Sequence, residues 1–316
     1  MRAIAVGAFR ADPALVEMPK PEPDAGEVRV RIEYAALNPS DWQAAQGSPD
    51  DGPAPRLFPM VIGVDFAGRV DMIGSGENRF RVGDQVFGRV PRANAAGGGT
   101  YCDYVCVPQD SAITAVPPGL PLRAAAALPS AGMAAAQILE TAVFRGHESL
   151  LVIGAAGGVG SYLTQLASAR DVRVIAAVRG DEHRRMTELG AAVTIDIADR
   201  PLGAAVRESC PDGVDALVDL ASATPGSFAA HAAPVRPGGI VLTTRGVAAG
   251  AALPADVTGI DFRLEPTPVL LDVLAAGAVD GVLRVPIDIE LPLEKAPQAL
   301  DRNRTGGARG KTVIVL

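Results

Sequence analysis

Leu150-Leu-Val-Ile153 runs straight into Gly154-Ala-Ala-Gly-Gly-Val-Gly160, and a helical stretch from about Val159 to Arg170 follows. An unbroken apolar run of this kind suits a parallel strand covered on both faces. Gly157 and Gly160 stand at the second and third glycine positions of the G-x-G-x-x-G fingerprint, with Ala155 in place of the first. The second glycine lets the backbone approach a pyrophosphate, and the third lets the helix pack close to its strand. Amides of Ala156, Gly157, Gly158 and Val159, aided by the dipole at the helix start, would then hold the phosphates. The next strand, Val172 to Val178, completes a strand–loop–helix–strand unit that predicts a dinucleotide site.

Cofactor choice is read where that second strand ends. An NAD site usually carries Asp or Glu there for the ribose 2′-hydroxyl. This chain has Val178-Arg-Gly-Asp-Glu-His-Arg-Arg185. Arg179 occupies the diagnostic position, with His183 and Arg184 one turn on, and guanidinium groups pair with a 2′-phosphate through parallel hydrogen bonds. NADPH is therefore the expected cofactor. Arg185 reads as a solvated helix residue, and Asp181 and Glu182 as caps of the helix that follows.

Working outward, further strands at Val193–Ile195, Ala216–Leu220 and Ile240–Thr244 alternate with helical stretches, as in a doubly wound parallel sheet. The region before Pro117-Pro-Gly119 differs. It holds short β-rich runs (Val28–Tyr34, Gly63–Gly74, Gly83–Gly88, Tyr101–Val107) broken by turn residues, which predicts a β-barrel or sandwich. Helices are expected over Arg123–Leu128 and Met133–Phe144, separated by Pro129, and over Val269–Ala276. A final strand, Thr312–Leu316, needs a host sheet, most simply in the N-terminal β region. The expected organisation is a β domain of residues 1–120 and 266–316 with a Rossmann domain of 121–265 inserted in it. The segments Gln46–Pro59 and Pro91–Gly99 read as loops that could line a ligand cleft.

Composition sets the outer limits. The 316 residues are 48% hydrophobic and only 4% aromatic, so the core is built from Ala, Val, Leu and Ile. A net charge of -7 without a basic block argues against nucleic acid as a partner. No run of about 20 apolar residues is present, so no membrane span is expected. Three cysteines, Cys102, Cys106 and Cys210, make no disulfide scaffold and suit a cytoplasmic protein.

Several segments together carry a family resemblance: Leu37-Asn-Pro-Ser-Asp41, Gly63-Val-Asp-Phe-Ala-Gly-Arg-Val70, Gly83-Asp-Gln-Val86, Gly99-Thr-Tyr-Cys-Asp-Tyr-Val105, Ala124–Leu128, Gly154–Gly160 and Arg309-Gly-Lys-Thr-Val313. The chain resembles the medium-chain dehydrogenase/reductase superfamily, in its zinc-independent quinone oxidoreductase branch related to zeta-crystallin. The resemblance implies an α/β fold in which a GroES-like β-barrel domain carries an inserted Rossmann domain, with the nicotinamide held between the two. It also implies a homodimer formed through the edge of the nucleotide-domain sheet.

Zinc is not expected, nor is flavin. Where zinc-dependent relatives carry a cysteine and a Gly-His-Glu, this chain has Asn38 and Gly63-Val64-Asp65, and zinc needs several converging ligands. The implied chemistry is hydride transfer from NADPH to a quinone or an α,β-unsaturated ketone. From the family's Asn-x-x-Asp element, Asn38 would donate to the substrate carbonyl and Asp41 would orient its loop. Tyr101 is a candidate proton donor, while Trp42 and Asp65 are expected at the substrate pocket. Thr243, with Thr244, would help hold the nicotinamide, where Ala134-Ala135 replaces the family's Thr-Ala. Lys311 would approach the cofactor. Two other readings stay open: an enoyl-thioester reductase using Arg56, Arg89 and Arg92 on an acyl carrier's phosphate, and a non-enzymatic NADPH-binding sensor.

Overall fold

Alternating apolar residues along Val28–Tyr34 do form a strand, and it is the longest among the described residues. The computed structural model describes residues 1–47, 57–76, 78–91, 98–142, 144 and 146–316. It divides into two units, Met1–Met133 with Pro266–Leu316, and Ala134–Glu265.

In the first unit, β1 (Arg2–Val6) and β2 (Ala14–Glu17) pair antiparallel, and β3 (Glu27–Ala36) leads into α1 (Pro39–Gln46). The short β4 (Met60–Val61) adds to the other edge of β1. β5 (Asp65–Ile73) lies antiparallel to β3, and β6 (Gln85–Arg89), β7 (Tyr104–Pro108) and β8 (Ile113–Ala115) complete the N-terminal strands. Ile4, Val30, Ile32, Phe66, Val86, Val105 and Ile113 share one apolar core. Two helices follow, α2 (Leu122–Ala127) and α3 (Pro129–Ala142). Pro129 does not merely separate them. It is the first residue of α3, where its missing N–H has no intrahelical partner to lose. The expected junction at 120/121 moves to 133/134 because α2 packs its buried Ala125–Ala127 against β3, β5 and β6.

The second unit opens on β9 (Ser149–Ile153), every residue of which is buried. The chain then alternates through α4 (Gly158–Ser168), β10 (Arg173–Val178), α5 (His183–Glu188), β11 (Val193–Asp196), α6 (Leu202–Ser209), β12 (Val214–Asp219), α7 (Pro225–Ala232), β13 (Val235–Thr243) and β14 (Thr258–Asp261). All six strands are parallel, in the order β11-β10-β9-β12-β13-β14. Strand order reverses between β9 and β12, the switch point outside which open α/β sheets bind their ligands. Sequence periodicity did not mark α6, α7 or β14. Each is short, and α7 is an Ala-rich octet started by the Thr224 hydroxyl, which accepts from the Ser227 N–H at 3.2 Å.

The chain returns to the first unit with α8 (Pro268–Val279), β15 (Ile287–Pro292), α9 (Ala296–Arg304) and β16 (Lys311–Val315). The terminal strand finds the host expected of it. β16 pairs antiparallel with β3, matching Val313–Val315 to Ala36–Tyr34, and the sheet runs β15-β16-β3-β5-β6-β8 with β7 also on β3.

Candidate functional site

Two groups of residues carry the expected site, one in each unit. In the second unit, the turn after β9 is laced to β10, since the Gly154 and Ala155 amides both donate to the Ala177 carbonyl at 3.1 and 3.3 Å. The Gly157 amide turns back to Gly154 O at 3.0 Å, and Gly157 caps α4 in an extended conformation. The first helical bond runs from Ser161 N to Gly157 O. Amides of Gly158, Val159 and Gly160 therefore face outward from the helix start with no intrahelical acceptor, as an anion site requires. Gly160 admits no substituent: a Cβ there would lie 2.5 Å from Gly154 O and 2.6 Å from Ala155 Cα.

Arg179 follows the last residue of β10 and is exposed. The acidic group nearest in the strand register, Asp196, is turned away to backbone amides, accepting from Gly180 at 3.1 Å and Ala198 at 2.9 Å. His183 is exposed, and Arg184, 93% exposed, pairs with Glu188 one turn on. Arg185 is not the solvated residue the sequence suggested. Its guanidinium donates to Ala156 O at 2.9 Å and to Ser161 Oγ at 3.2 Å, and pairs with Glu182 at 2.6 Å. Glu182 is accordingly committed to Arg185 and makes no side-chain cap on α5. Thr243, at the end of β13, is fully buried, and its hydroxyl accepts from the Arg245 amide at 3.1 Å.

The first unit holds a closed polar cluster. Asn38 caps α1, and the Asp41 carboxylate reaches back to accept the Asn38 N–H at 2.8 Å, so the Asn-x-x-Asp spacing works as one arm of a capping box. The same Asp41 oxygen accepts the Tyr101 hydroxyl at 2.8 Å. The Asn38 side chain donates to Asp65 at 2.8 Å and to Ala36 O at 3.3 Å, and its carbonyl accepts from Lys311 at 2.6 Å. Lys311 Nζ also donates to Leu37 O at 2.8 Å and lies 3.5 Å from Asp65. Asp65 further accepts from the N–H and hydroxyl of Ser130, the latter at 2.6 Å, and Arg89 donates to that hydroxyl at 3.0 Å.

All five side chains, Asn38, Asp41, Asp65, Tyr101 and Lys311, are buried. Burial pushes the Asp41 carboxyl up to about 6, against the Asn38 and Tyr101 donors that favour its charged form. Burial, with Asp41 alongside, also holds the Tyr101 hydroxyl well above its ordinary value. Burial lowers Lys311, although Asp65 and Asp41 oppose that.

Residues 24–118 match the alcohol dehydrogenase GroES-like domain family, and residues 189–314 match the zinc-binding dehydrogenase family. A chloroplastic quinone oxidoreductase of Triphysaria versicolor is 30% identical, over 95% of this chain and 92% of its own. The chain belongs to the medium-chain dehydrogenase/reductase superfamily, in its quinone oxidoreductase branch. Its fold superposes on the quinone oxidoreductase of Coxiella burnetii with a TM-score of 0.90 at 27% identity, covering 100% of this chain and 99% of the other. A mycobacterial protein in complex with NADPH gives a TM-score of 0.82 at 25% identity, covering 100% of both.

The residues present do not fit the zinc in one of those family names. Both Asp65 oxygens are engaged by Asn38 and Ser130, with an ammonium beside them, and the Asn38 amide replaces a thiolate. The buried Cys102 thiol is turned to the Gly99 and Tyr104 carbonyls. Among the described residues no group of three or more His, Cys, Asp or Glu side chains could hold a metal ion.

These contacts show where several of the expected site residues lie. Asn38 has both amide hydrogens committed within the protein, leaving none for a substrate carbonyl. Tyr101, the expected proton donor, is fully buried and donates its hydroxyl hydrogen to Asp41. Asp65 and Lys311, expected at the pocket and the cofactor, are buried 3.5 Å apart with hydrogen bonds inside the protein. Trp42 packs partly buried against the apolar core. Arg89 braces Ser130, while Arg56 and Arg92 and most of the two candidate loops lie outside the described residues.

The sequence reading missed one constellation. Asp219, at the end of β12, holds His231 Nδ1 at 2.8 Å and Ser222 Oγ at 2.7 Å. Burial would raise Asp219, but the donors His231, Ser222 and Ala221 outweigh it and hold the carboxyl below its usual range. His231 lines a pocket of about 400 Å³ with Ile197–Leu202, at the carboxyl end of β11. An Asp at a strand end and a His inside an unrecognised helix gave no pattern to find. Among the described residues no helix is long and apolar enough to cross a membrane.

Proposed function

We propose that this chain is a metal-independent reductase that binds NADPH and reduces a quinone or a conjugated enone. The observation that carries the cofactor reading is the geometry around Ala177. The glycine turn hangs from that carbonyl two residues before Arg179, which puts the outward amides of α4 and the exposed guanidinium together at the carboxyl end of neighbouring strands β9 and β10. Pyrophosphate would be held by the Gly158–Gly160 amides and the helix dipole, and the 2′-phosphate by Arg179. The NADPH carried by the mycobacterial relative supports the same choice.

The bound nicotinamide supplies hydride, and the protein contributes position and dryness. Conjugated acceptors suit a site without a Lewis acid, because charge developing on oxygen is delocalised and needs only hydrogen-bond donors. With Tyr101 and Lys311 committed internally, the proton that completes reduction is assigned to solvent.

The test is nucleotide oxidation against quinones, enones and enoyl-thioesters, with NADPH and NADH in parallel and with and without EDTA. Turnover with quinones or enones, undiminished by EDTA, is expected; a lasting loss reversed by added zinc would contradict the proposal. Arg179→Ala should weaken NADPH about 10–100-fold, the worth of a charge-assisted contact, and leave NADH within about twofold. Equal losses for both nucleotides would remove the 2′-phosphate assignment.

A further inference from the structure

We infer that Arg185 is a positioning residue for dinucleotide binding, a clamp that fixes the phosphate-binding turn from behind without touching the ligand. The inference rests on the dinucleotide reading above and adds a residue to it. Three groups converge on one guanidinium: the Ala156 carbonyl within the glycine turn, the Ser161 hydroxyl in the first turn of α4, and the Glu182 carboxylate at the start of α5. Drawing the Ala156 carbonyl toward α5 fixes the plane of the Ala156–Gly157 peptide. Gly157 then caps α4 at φ -76° and ψ -179°, and the amides of Gly158 to Gly160 inherit their direction from it. A glycine-rich turn has many alternative conformations, so its preorganisation has to come from outside contacts. Ala177 O supplies one on the β10 side, and Arg185 supplies the other from α5.

The clamp acts through geometry more than charge. Glu182 sits 2.6 Å from Nε and neutralises the guanidinium, and the pair is only 30% and 12% exposed. Arg185 also differs in kind from Arg179. Its hydrogen bonds run to Glu182, Ser161 and Ala156 within the protein, whereas Arg179 is exposed with no side-chain partner among the described residues. One arginine would therefore serve the pyrophosphate indirectly, and the other the 2′-phosphate directly.

Dissociation constants for NADPH, NADH and adenosine 2′-monophosphate, which has no pyrophosphate, separate these roles. Arg185→Met should weaken NADPH and NADH alike by about tenfold, equivalent to losing about one hydrogen bond to a charged group, and leave adenosine 2′-monophosphate within about twofold. Ser161→Ala, which removes one arm and no charge, should shift the two dinucleotides in the same direction by a smaller factor. Arg185→Lys keeps the pair with Glu182 but cannot reach both other acceptors, so it should restore affinity only in part. Melting temperatures without nucleotide identify any variant that fails to fold, and Ser161→Ala then carries the comparison. Unchanged affinities in Arg185→Met would overturn the inference, as would a loss confined to NADPH, which would make Arg185 a 2′-phosphate ligand. Equal loss of all three ligands would reduce it to a general prop. If the unsubstituted protein bound neither dinucleotide, the underlying reading would fail first and take this one with it.

Discussion

The glycine turn of the second unit and the polar cluster of the first both concentrate hydrogen-bonding groups, but they leave opposite remainders. Around Gly154–Gly160, the backbone is anchored by Ala177 and Arg185, and three amides are left facing outward. Around Asn38, almost every donor and acceptor is matched inside the protein, and the charges of Asp65 and Lys311 compensate each other out of water. Residue type alone would have ranked the cluster higher, since it holds two carboxylates, a phenol and an amine. What makes a binding site is the group left without a partner, and here that group belongs to glycine backbone. Buried polar networks that satisfy themselves instead rigidify a unit.

That contrast can be broken by experiment. Gly160→Val should abolish nucleotide binding at concentrations that saturate the parent, because the new Cβ meets the backbone of Gly154 and Ala155. Retained binding, measured by nucleotide fluorescence, would mean that the turn is not the site. Lys311→Met should destabilise the first unit by about 3–5 kcal/mol in urea titration, since it leaves Asp65 buried without its cation. A loss below about 1 kcal/mol would put the pair among weak surface bridges instead.

The smallest effect concerns pH. Asp41 is held at about 6, above its unfolded value near 4, so its contribution to stability is complete below about pH 4 and is lost as pH rises through 6. Asp215 and Asp219 are shifted downward, so their contributions are lost only as pH falls below the ordinary carboxylate range. Asp41→Asn keeps an oxygen for Asn38 and Tyr101 and removes the titration. The variant should therefore gain about 2–3 kcal/mol relative to the parent between pH 4 and pH 7. Parallel stability profiles would show that the carboxyl stays charged in the fold.

Much of this was legible because it is local. The apolar run Leu150–Ile153, the glycines after it and the arginine after Val178 are all close in sequence, and each has one physical reading. The cluster was legible only in membership. Asn38, Asp41, Asp65, Tyr101 and Lys311 could be named from a resemblance, but which of them face one another depends on pairing β3 with β5 and β16. Arg185 carried a signal that was overlooked. Glu182, Arg185, Met186 and Leu189 repeat at helical spacing, and Met186 and Leu189 are buried, so Arg185 had to lie beside the packed face. Its neighbour Arg184 falls off that face and points to water.

The placement of β16 also fixes an order of events during synthesis. Tyr34–Ala36 emerge early from the ribosome, but their partners Val313–Val315 come almost a whole chain later, tens of seconds afterwards at about 5–20 residues per second. The nascent first unit must wait through that interval with part of an edge unpaired and with Asp65 and Asn38 lacking their lysine. The nucleotide-binding unit, continuous in the chain, has no such wait and can be finished before its host.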